Sequence, residues 1–470
     1  MMWNFKKYSD SIAAKDEYGN ILLYKDLYLF SQKINEICGR TLCFIISQNS
    51  IGSLAGYAAM IQGSTVPVMI GENLDKELFQ SLLKTYEPEF IWLPNDISTN
   101  VENTCEMINQ FGYRLLRTKY DKKDDINSEL ALLLTTSGST GSPKLVRQSY
   151  NNIKSNTESI VEYLNLDSTE RPITTLPMNY TYGLSIINSH LYVGATILLT
   201  DKTLMQKEFW DYFKTENATS FGGVPYTYEI LKKLRFSRMI LPSLRYMTQA
   251  GGKLSPELHK VFAQDCLEKN RKFIVMYGQT EATARMAYLP SEFALEKYGS
   301  MGIAIPGGCF SLIDDNGAEI TEDNITGELI YKGANVTLGY AETRKDLIKG
   351  DENHGVLFTG DMAQKDKDGF YYIVGRKKRF LKMFGKRVNL DEIERIIKSR
   401  FNSLDCACDG KDDNMYIFVT DNFILDEVRG FISNKTGINI SAINTVYLQQ
   451  IPRNESGKIM YTGLNQYYEK

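Results

Sequence analysis

Residues 130–144 read LALLLTTSGSTGSPK: an aliphatic run, then ten residues that are all Gly, Ser or Thr except Pro143 and the closing Lys144. The run Leu130–Leu134 predicts a buried strand, and the amphipathic stretch Ile153–Leu164 beyond the loop predicts a helix. Between them, Gly138 and Gly141 let backbone N–H groups approach an anion and reach positive φ. The hydroxyls of Thr136, Ser137, Ser139 and Thr140 add donors, and Lys144 adds a mobile positive charge. That combination suits a polyphosphate. The spacing does not fit GxxxxGK[ST], which disfavours a kinase or motor of P-loop type.

Outward from the loop, strand and helix signals alternate. Thr41–Ser47, Thr65–Ile70 and Phe90–Leu93 read as strands, with helices over Ile51–Gln62 and Leu78–Tyr86 between them. Short connections of this kind predict right-handed crossovers and a parallel sheet. The theme returns with strands at Ala195–Thr200 and Phe273–Met276 and a helix around Pro256–Leu267. From about Ser300 the texture changes to glycine-punctuated β runs such as Gly327–Lys332 and Gly369–Gly375, which favour antiparallel hairpins or a small barrel. After the basic Arg376–Lys378 come a helix at Asn389–Arg400, a strand at Met415–Thr420, a helix at Ile424–Asn434 and a strand at Ile443–Gln450. The expected fold class is therefore α/β. A large N-terminal domain (1–376) would hold parallel-rich sheets and a β-barrel-like subdomain (300–376), followed by a small mobile α+β domain (377–470).

The 470 residues are too many for one ordinary core. With 43% hydrophobic and 24% charged residues the composition is that of a globular protein, and a net charge of −3 provides no basic field toward nucleic acid or anionic lipid. The N-terminus does not read as a signal peptide, and no apolar run reaches the ~20 residues of a membrane span. The seven cysteines show no regular spacing, and the lone pair Cys406 and Cys408 reads as buried thiols. A reducing cytoplasm is the expected compartment.

Further motifs follow the loop. Ala250-Gly251-Gly252-Lys253-Leu254 places two bare glycines after a strand-like segment, where backbone could lie against a flat ring. Tyr277-Gly278-Gln279-Thr280-Glu281 offers an aromatic face, a hydroxyl and a hard oxygen ligand. Thr359-Gly360-Asp361 brings a carboxylate suited to vicinal hydroxyls, Tyr372–Arg376 follows, and Pro452-Arg453-Asn454-Glu455-Ser456-Gly457-Lys458 ends on a lysine. Taken alone, each also has a bland reading: a turn, a core aromatic, a surface lysine.

In this order the motifs resemble those of the adenylate-forming (AMP-binding) superfamily, which includes acyl-CoA synthetases, aryl-CoA ligases, carrier-loading adenylation domains and luciferases. The resemblance implies that residues 136–144 hold ATP phosphates, Gly251 and Gly252 lie against adenine, and Tyr277 packs on it. It implies that Thr280 binds the α-phosphate, Glu281 coordinates Mg²⁺, Asp361 and Arg376 hold the ribose, and Ile373 lines the nucleotide site. Lys458 would be the catalytic lysine, Lys378 the hinge of a swivelling terminal domain, and Lys382 and Gly385 part of the segment facing the substrate or thiol. The implied reaction activates a carboxylic acid as acyl-AMP with release of pyrophosphate. The acyl group then passes to coenzyme A, or to phosphopantetheine on a separate carrier protein.

The acid pocket would begin at Pro177–Gly183. Tyr180 stands where many acyl and aryl ligases have histidine, and Thr181 where amino-acid-activating relatives have aspartate. An unpaired ammonium in a pocket is costly, which disfavours an α-amino acid. Thr181, Tyr182, Gly222, Gly223, Val224, Met247, Gln249, Gly278 and Met301 are pocket neighbours by resemblance. An amide-forming or amino-acid-activating ligase, a luciferase-like oxidase and an inactive nucleotide-binding relative stay open.

Overall fold

The structure is a computed structural model and describes residues 2–73, 76–97, 101–121, 125–135, 144–384, 386–401, 404–453 and 459–468. The chain packs as two compact units, Met1–Cys309 with Tyr331–Leu357, and Phe310–Ile330 with Phe358–Lys470.

The first unit is built on an eight-stranded sheet. Its order is Gly339–Ala341, Leu145–Ser149, Leu130–Thr135, Val66–Gly71, Leu42–Ser47, Phe90–Pro94, Tyr113–Arg117, Cys105–Gln110. Leu42–Ser47 runs parallel to both neighbours, and Val66–Gly71 parallel to Leu130–Thr135. Those central strands are buried on both faces, which explains their unbroken aliphatic sequences. The intervening helices Ile51–Gly63 and Lys76–Tyr86 close the expected crossovers. One edge departs from expectation. Cys105–Gln110 and Tyr113–Arg117 form an antiparallel hairpin around Phe111 and Gly112, both at positive φ. The polar outer strand masks its own signal, since only Ile108 in it is buried.

A second sheet has the order Ser220–Gly223, Tyr246–Gln249, Lys272–Tyr277, Ala287–Tyr288, Ile303–Ala304. The first three strands are parallel and in register through Gly223, Gln249 and Val275. Their crossover helices Pro225–Lys233 and Pro256–Glu268 each start with proline, whose fixed φ suits a first helical position. The Ser255 side chain caps the second by accepting from Leu258 N.

Gly308–Ile313, Gly327–Gly333, Val356–Lys365 and Tyr371–Arg376 form a four-stranded sheet. The glycine-punctuated runs are strands as expected, but among the described residues they do not close into a barrel. Strand periodicity encodes which face is buried and is silent on closure. Next come the hairpin Phe380–Met383 with Lys386–Asn389 and the helix Leu390–Arg400. Cys406–Lys411 then pairs antiparallel with Asn414–Val419, which runs parallel to Ile443–Tyr447 across the helix Leu425–Thr436. Cys406 and Cys408 are buried in this core, where burial pushes the Cys406 thiol up to about 12. No helix of the described residues is long and apolar enough to cross a membrane.

Candidate functional site at the carboxyl ends of the strands

Three parallel strands of the second sheet end side by side at Gly223, Gln249 and Tyr277. Carboxyl ends of strands in open α/β sheets are where ligands bind. The sequence motifs 222–224, 249–252 and 277–281 thus arrive at one edge. After the buried Phe273–Met276, every residue from Tyr277 to Glu281 is half-exposed, so the chain emerges there without leaving the fold.

The glycines hold this edge together. A Cβ on Gly278 would stand 1.6 Å from Ala284 O, so only glycine lets the loop fold back on itself. Gly251 has φ +80°, and a Cβ there would stand 2.5 Å from the Tyr180 hydroxyl. Tyr180 itself precedes the helix Thr181–Val193, and burial pushes its phenol up to about 12. Gly252 lies beside Pro225 and Gly223 beside Thr227. Met247 is fully buried inside its strand, in register with Phe221 and Phe273. Thr181 Oγ1 donates to Thr283 O at 2.7 Å, so the helix start and the loop after Glu281 are tied to each other.

That loop is pinned from several sides. Thr283 Oγ1 donates to Asn335 O, and Asn335 Nδ2 donates to Ala282 O and Arg285 O. Asn156 Nδ2 also donates to Arg285 O, at 2.8 Å. Thr337 N donates to Glu281 O and Gln148 Nε2 to Thr280 O. The result is a carboxylate presented on a fixed backbone.

Glu281 Oε1 accepts from the Tyr340 hydroxyl at 2.8 Å. Burial and the neighbouring Glu281 charge keep the Tyr340 phenol well above its usual range, so it stays a donor. Lys144 Nζ sits 3.6 Å from the Tyr340 ring centroid and 3.9 Å from Glu342. Both sides of this contact come from the large sheet, where Gly339–Ala341 pairs with Leu145–Ser149, which in turn pairs with Leu130–Thr135. The closing lysine of the loop and the candidate metal carboxylate therefore share one tyrosine, the lysine over its ring and the carboxylate at its hydroxyl. Tyr340 was not legible as a site residue, because an isolated tyrosine in a short strand carries no pattern.

Thr136, Ser137, Gly138, Ser139, Thr140 and Gly141 lie outside the described residues, as do Gly385 and Lys458. Their flanks are described: Thr135 pairs with Leu145, and Arg453 with Ile459.

In the second unit, Asp361 and Arg376 are register partners on antiparallel strands, with Nε and Oδ1 3.6 Å apart. Asp361 is buried and Arg376 is mostly exposed, while Ile373 is half-buried opposite Ala363. Lys378 is exposed in the short turn Lys377–Arg379, and Lys382 is exposed on the hairpin strand that follows.

Among the described residues no cluster of three His, Cys, Asp or Glu could hold a metal by itself. A single hydrogen-bonded carboxylate at Glu281 fits magnesium, which usually takes one or two protein carboxylates and the substrate's phosphates.

The AMP-binding enzyme family model matches residues 42–341, well over half of the chain. The 2-succinylbenzoate--CoA ligase of Bacillus cytotoxicus is 27% identical over 357 residues, covering 73% of this chain and 71% of that protein. The Bacillus cereus ligase of the same name is 27% identical over 446 residues, covering 91% and 88%. Among solved structures, the O-succinylbenzoate coenzyme A synthetase of Bacillus subtilis in complex with AMP superposes with TM-score 0.79 at 20% identity, covering 98% of this chain and 96% of that one. The ATP-bound MatB of Rhodopseudomonas palustris gives 0.78 at 19%, covering 99% and 98%. By sequence and by fold, this chain belongs to the AMP-binding enzyme family.

Proposed function

We propose that this chain uses ATP to activate a carboxylic acid as its acyl-adenylate and then transfers the acyl group to the thiol of coenzyme A. The observation that carries the reading is the convergence of Lys144, Tyr340 and Glu281 beside the strand ends at 223, 249 and 277. The curated relatives with nearly full-length coverage are named as CoA ligases, which supports the acceptor.

In the first step a carboxylate oxygen attacks the α-phosphorus and the bond to pyrophosphate breaks. Lys144 and the loop before it hold the phosphates, Tyr277 packs on adenine, Thr280 binds the α-phosphate, and Asp361 with Arg376 holds the ribose. Magnesium held by Glu281 supplies charge neutralisation on the phosphate oxygens. Lys458 stabilises negative charge growing on the α-phosphate. In the second step the thiol sulfur attacks the acyl carbon, AMP leaves, and the thiol proton is released. Acyl-AMP is a reactive mixed anhydride, so water must stay out between the steps. A swivel of the terminal segment about Lys378 exchanges Lys458 for the stretch containing Lys382.

The test is acid-dependent pyrophosphate exchange over a panel of carboxylic acids, followed by mass spectrometry with coenzyme A, a phosphopantetheinyl carrier and amines. Lys458→Ala is expected to lower adenylate formation by roughly 100-fold or more. It should leave thioester formation from supplied acyl-AMP largely intact. An equal fall in both half-reactions, with folding retained, would overturn the two-pose account. Tight ATP binding without exchange for any acid would overturn the ligase reading itself.

A further inference from the structure

Four arginines are buried among the described residues: Arg147, Arg285, Arg344 and Arg379. Three are neutralised by carboxylates, Arg147 by Glu352, Arg344 by Glu89, and Arg379 by Asp391 and Glu394. Arg285 is the exception. It is 2% exposed, and no carboxylate of the described residues pairs with it. Its Nε donates to Ser185 Oγ at 3.0 Å, and its Nη1 to the Tyr163 hydroxyl at 3.0 Å with Met276 Sδ at 3.4 Å. Nη2 has no hydrogen-bond partner among the described residues, yet it is not one of the sealed, unsatisfied buried atoms such as Arg40 Nε or Arg271 Nη1.

Of the titratable groups around it, the Glu170 carboxylate, which faces Tyr246, is already paired with Arg245, and the others supply no anion. Burial holds the phenols of Tyr163, Tyr182 and Tyr246 above their usual range. His190 is neutral, pushed down to about 4 by burial. A buried guanidinium among neutral groups is an expensive arrangement unless something pairs with it.

Its position says what that partner belongs to. Arg285 follows Glu281 by four residues, and the next residue is anchored by Met286 N donating to Tyr277 O at 2.8 Å. The guanidinium carbon is 5.4 Å from the Tyr182 ring centroid, and the Tyr182 hydroxyl lies 2.9 Å from where a Gly222 Cβ would be. The charge thus sits behind the strand ends that carry the adenylation residues, on the side of the helix Thr181–Val193.

We propose that Arg285 is a specificity-determining residue for an acid with two carboxylates: one is activated, and the other pairs with this guanidinium. The inference rests on the ligase reading above and adds the substrate class. Arginine suits the role because its guanidinium keeps its charge when buried and holds its donors in a fixed plane, and the Nη2 hydrogens are left to meet a carboxylate.

The experiment compares matched probes in acid-dependent pyrophosphate exchange with wild-type enzyme: 2-succinylbenzoate, phthalate, succinate and glutarate against their monoesters, and benzoate and butyrate as monoacids. At least one diacid is expected to exceed its own monoester by roughly 100-fold or more in kcat/KM, since a site built for a polar group rejects analogues lacking it. Arg285→Met should remove that advantage chiefly through KM, and Arg285→Lys should restore part of it. ATP-induced thermal stabilisation reports whether each variant remains folded, and the wild-type comparison needs no variant. Equal use of diacids and monoacids by the wild type would overturn the inference and leave the ligase reading standing. So would a diacid preference that survives in folded Arg285→Met. Absence of exchange with every probe, and with the wider acid panel, would sink the ligase reading and this inference with it.

Discussion

The neighbourhoods of Arg379 and Arg285 both bury a guanidinium, and they solve the problem in opposite ways. Arg379 is saturated. Its Nε donates to Asp391, its Nη2 to Glu394 Oε1 at 2.6 Å, its Nη1 to Cys408 O at 3.0 Å, and the Tyr461 ring lies 3.6 Å from its guanidinium carbon. The flanking carboxylates hold it above even the usual arginine range. Glu394 is itself raised, because burial outweighs the attraction of Arg379, so the pair is held against a real desolvation cost. Arg285 has neutral partners and an idle nitrogen. A completed ion network works as scaffold, tying the turn Lys377–Arg379 to the helix Leu390–Arg400. An incomplete one, beside the carboxyl ends of three parallel strands, is on the proposal above a receptor.

The sharpest way to break this contrast is to remove each charge in turn. Arg379→Met strands two carboxylates and is expected to cost about 3–5 kcal/mol of stability. Arg285→Met strands none. Ser185 Oγ still donates to Tyr182 O, and the Tyr163 hydroxyl still has Met276 Sδ, so the change should stay within about 1 kcal/mol. Denaturant unfolding of both variants reads the difference. Equal losses would mean that Arg285 is as structural as Arg379, and the contrast would fail.

A smaller effect concerns His190, whose Nδ1 faces Ile186 O at 2.8 Å and whose Nε2 faces the Tyr246 hydroxyl at 3.1 Å. Burial chiefly, opposed by the Ile186 hydrogen bond and helped by the Arg285 charge, lowers its pKa from 6.5 to about 4. The unfolded chain therefore binds the proton first. Stability is full above pH 6.5 and is lost as pH falls toward 4, with about 2 kcal/mol gone between pH 7.5 and 5 from this residue. Urea midpoints at the two pH values should differ less for His190→Gln than for wild type. Arg285→Met should also narrow the gap, because it removes one cause of the shift. If the gap stays fixed in both variants, the Arg285 charge does not reach His190.

These two neighbourhoods also mark what the sequence could convey. The aliphatic strands Leu42–Ser47 and Leu130–Thr135 were readable because composition and period carry them. Boundaries moved by a residue or two, as at Lys76–Tyr86. The hairpin Cys105–Arg117 escaped because its outer strand is polar and mostly exposed. Met247 lies in register between Phe221 and Phe273, a placement that strand spacing does not determine. Arg285 in TEATARMAY reads like any exposed charge. Its burial depends on Tyr163, Ser185 and Met276, which are distant in sequence. Tyr340 was hidden for the same reason, since its partner Glu281 lies 59 residues away.

The finest test separates ring from hydroxyl at Tyr461. Its hydroxyl donates to Glu394 Oε2 at 3.1 Å while its ring faces Arg379, so one side chain serves both charges of the saturated network. Burial and Glu394 keep the phenol protonated well beyond its usual range, so the donor persists at any ordinary pH. Tyr461→Phe keeps the ring and deletes one hydrogen bond to a carboxylate that still has Arg379 and Cys408 N. The expected cost is about 1–2 kcal/mol by denaturant unfolding. Tyr461→Ala, which also loses the ring, should cost more. If Phe proves as damaging as Arg379→Met, the hydroxyl rather than the paired guanidinium is what satisfies Glu394, and the scaffold around Arg379 would have to be redrawn with Tyr461 at its centre.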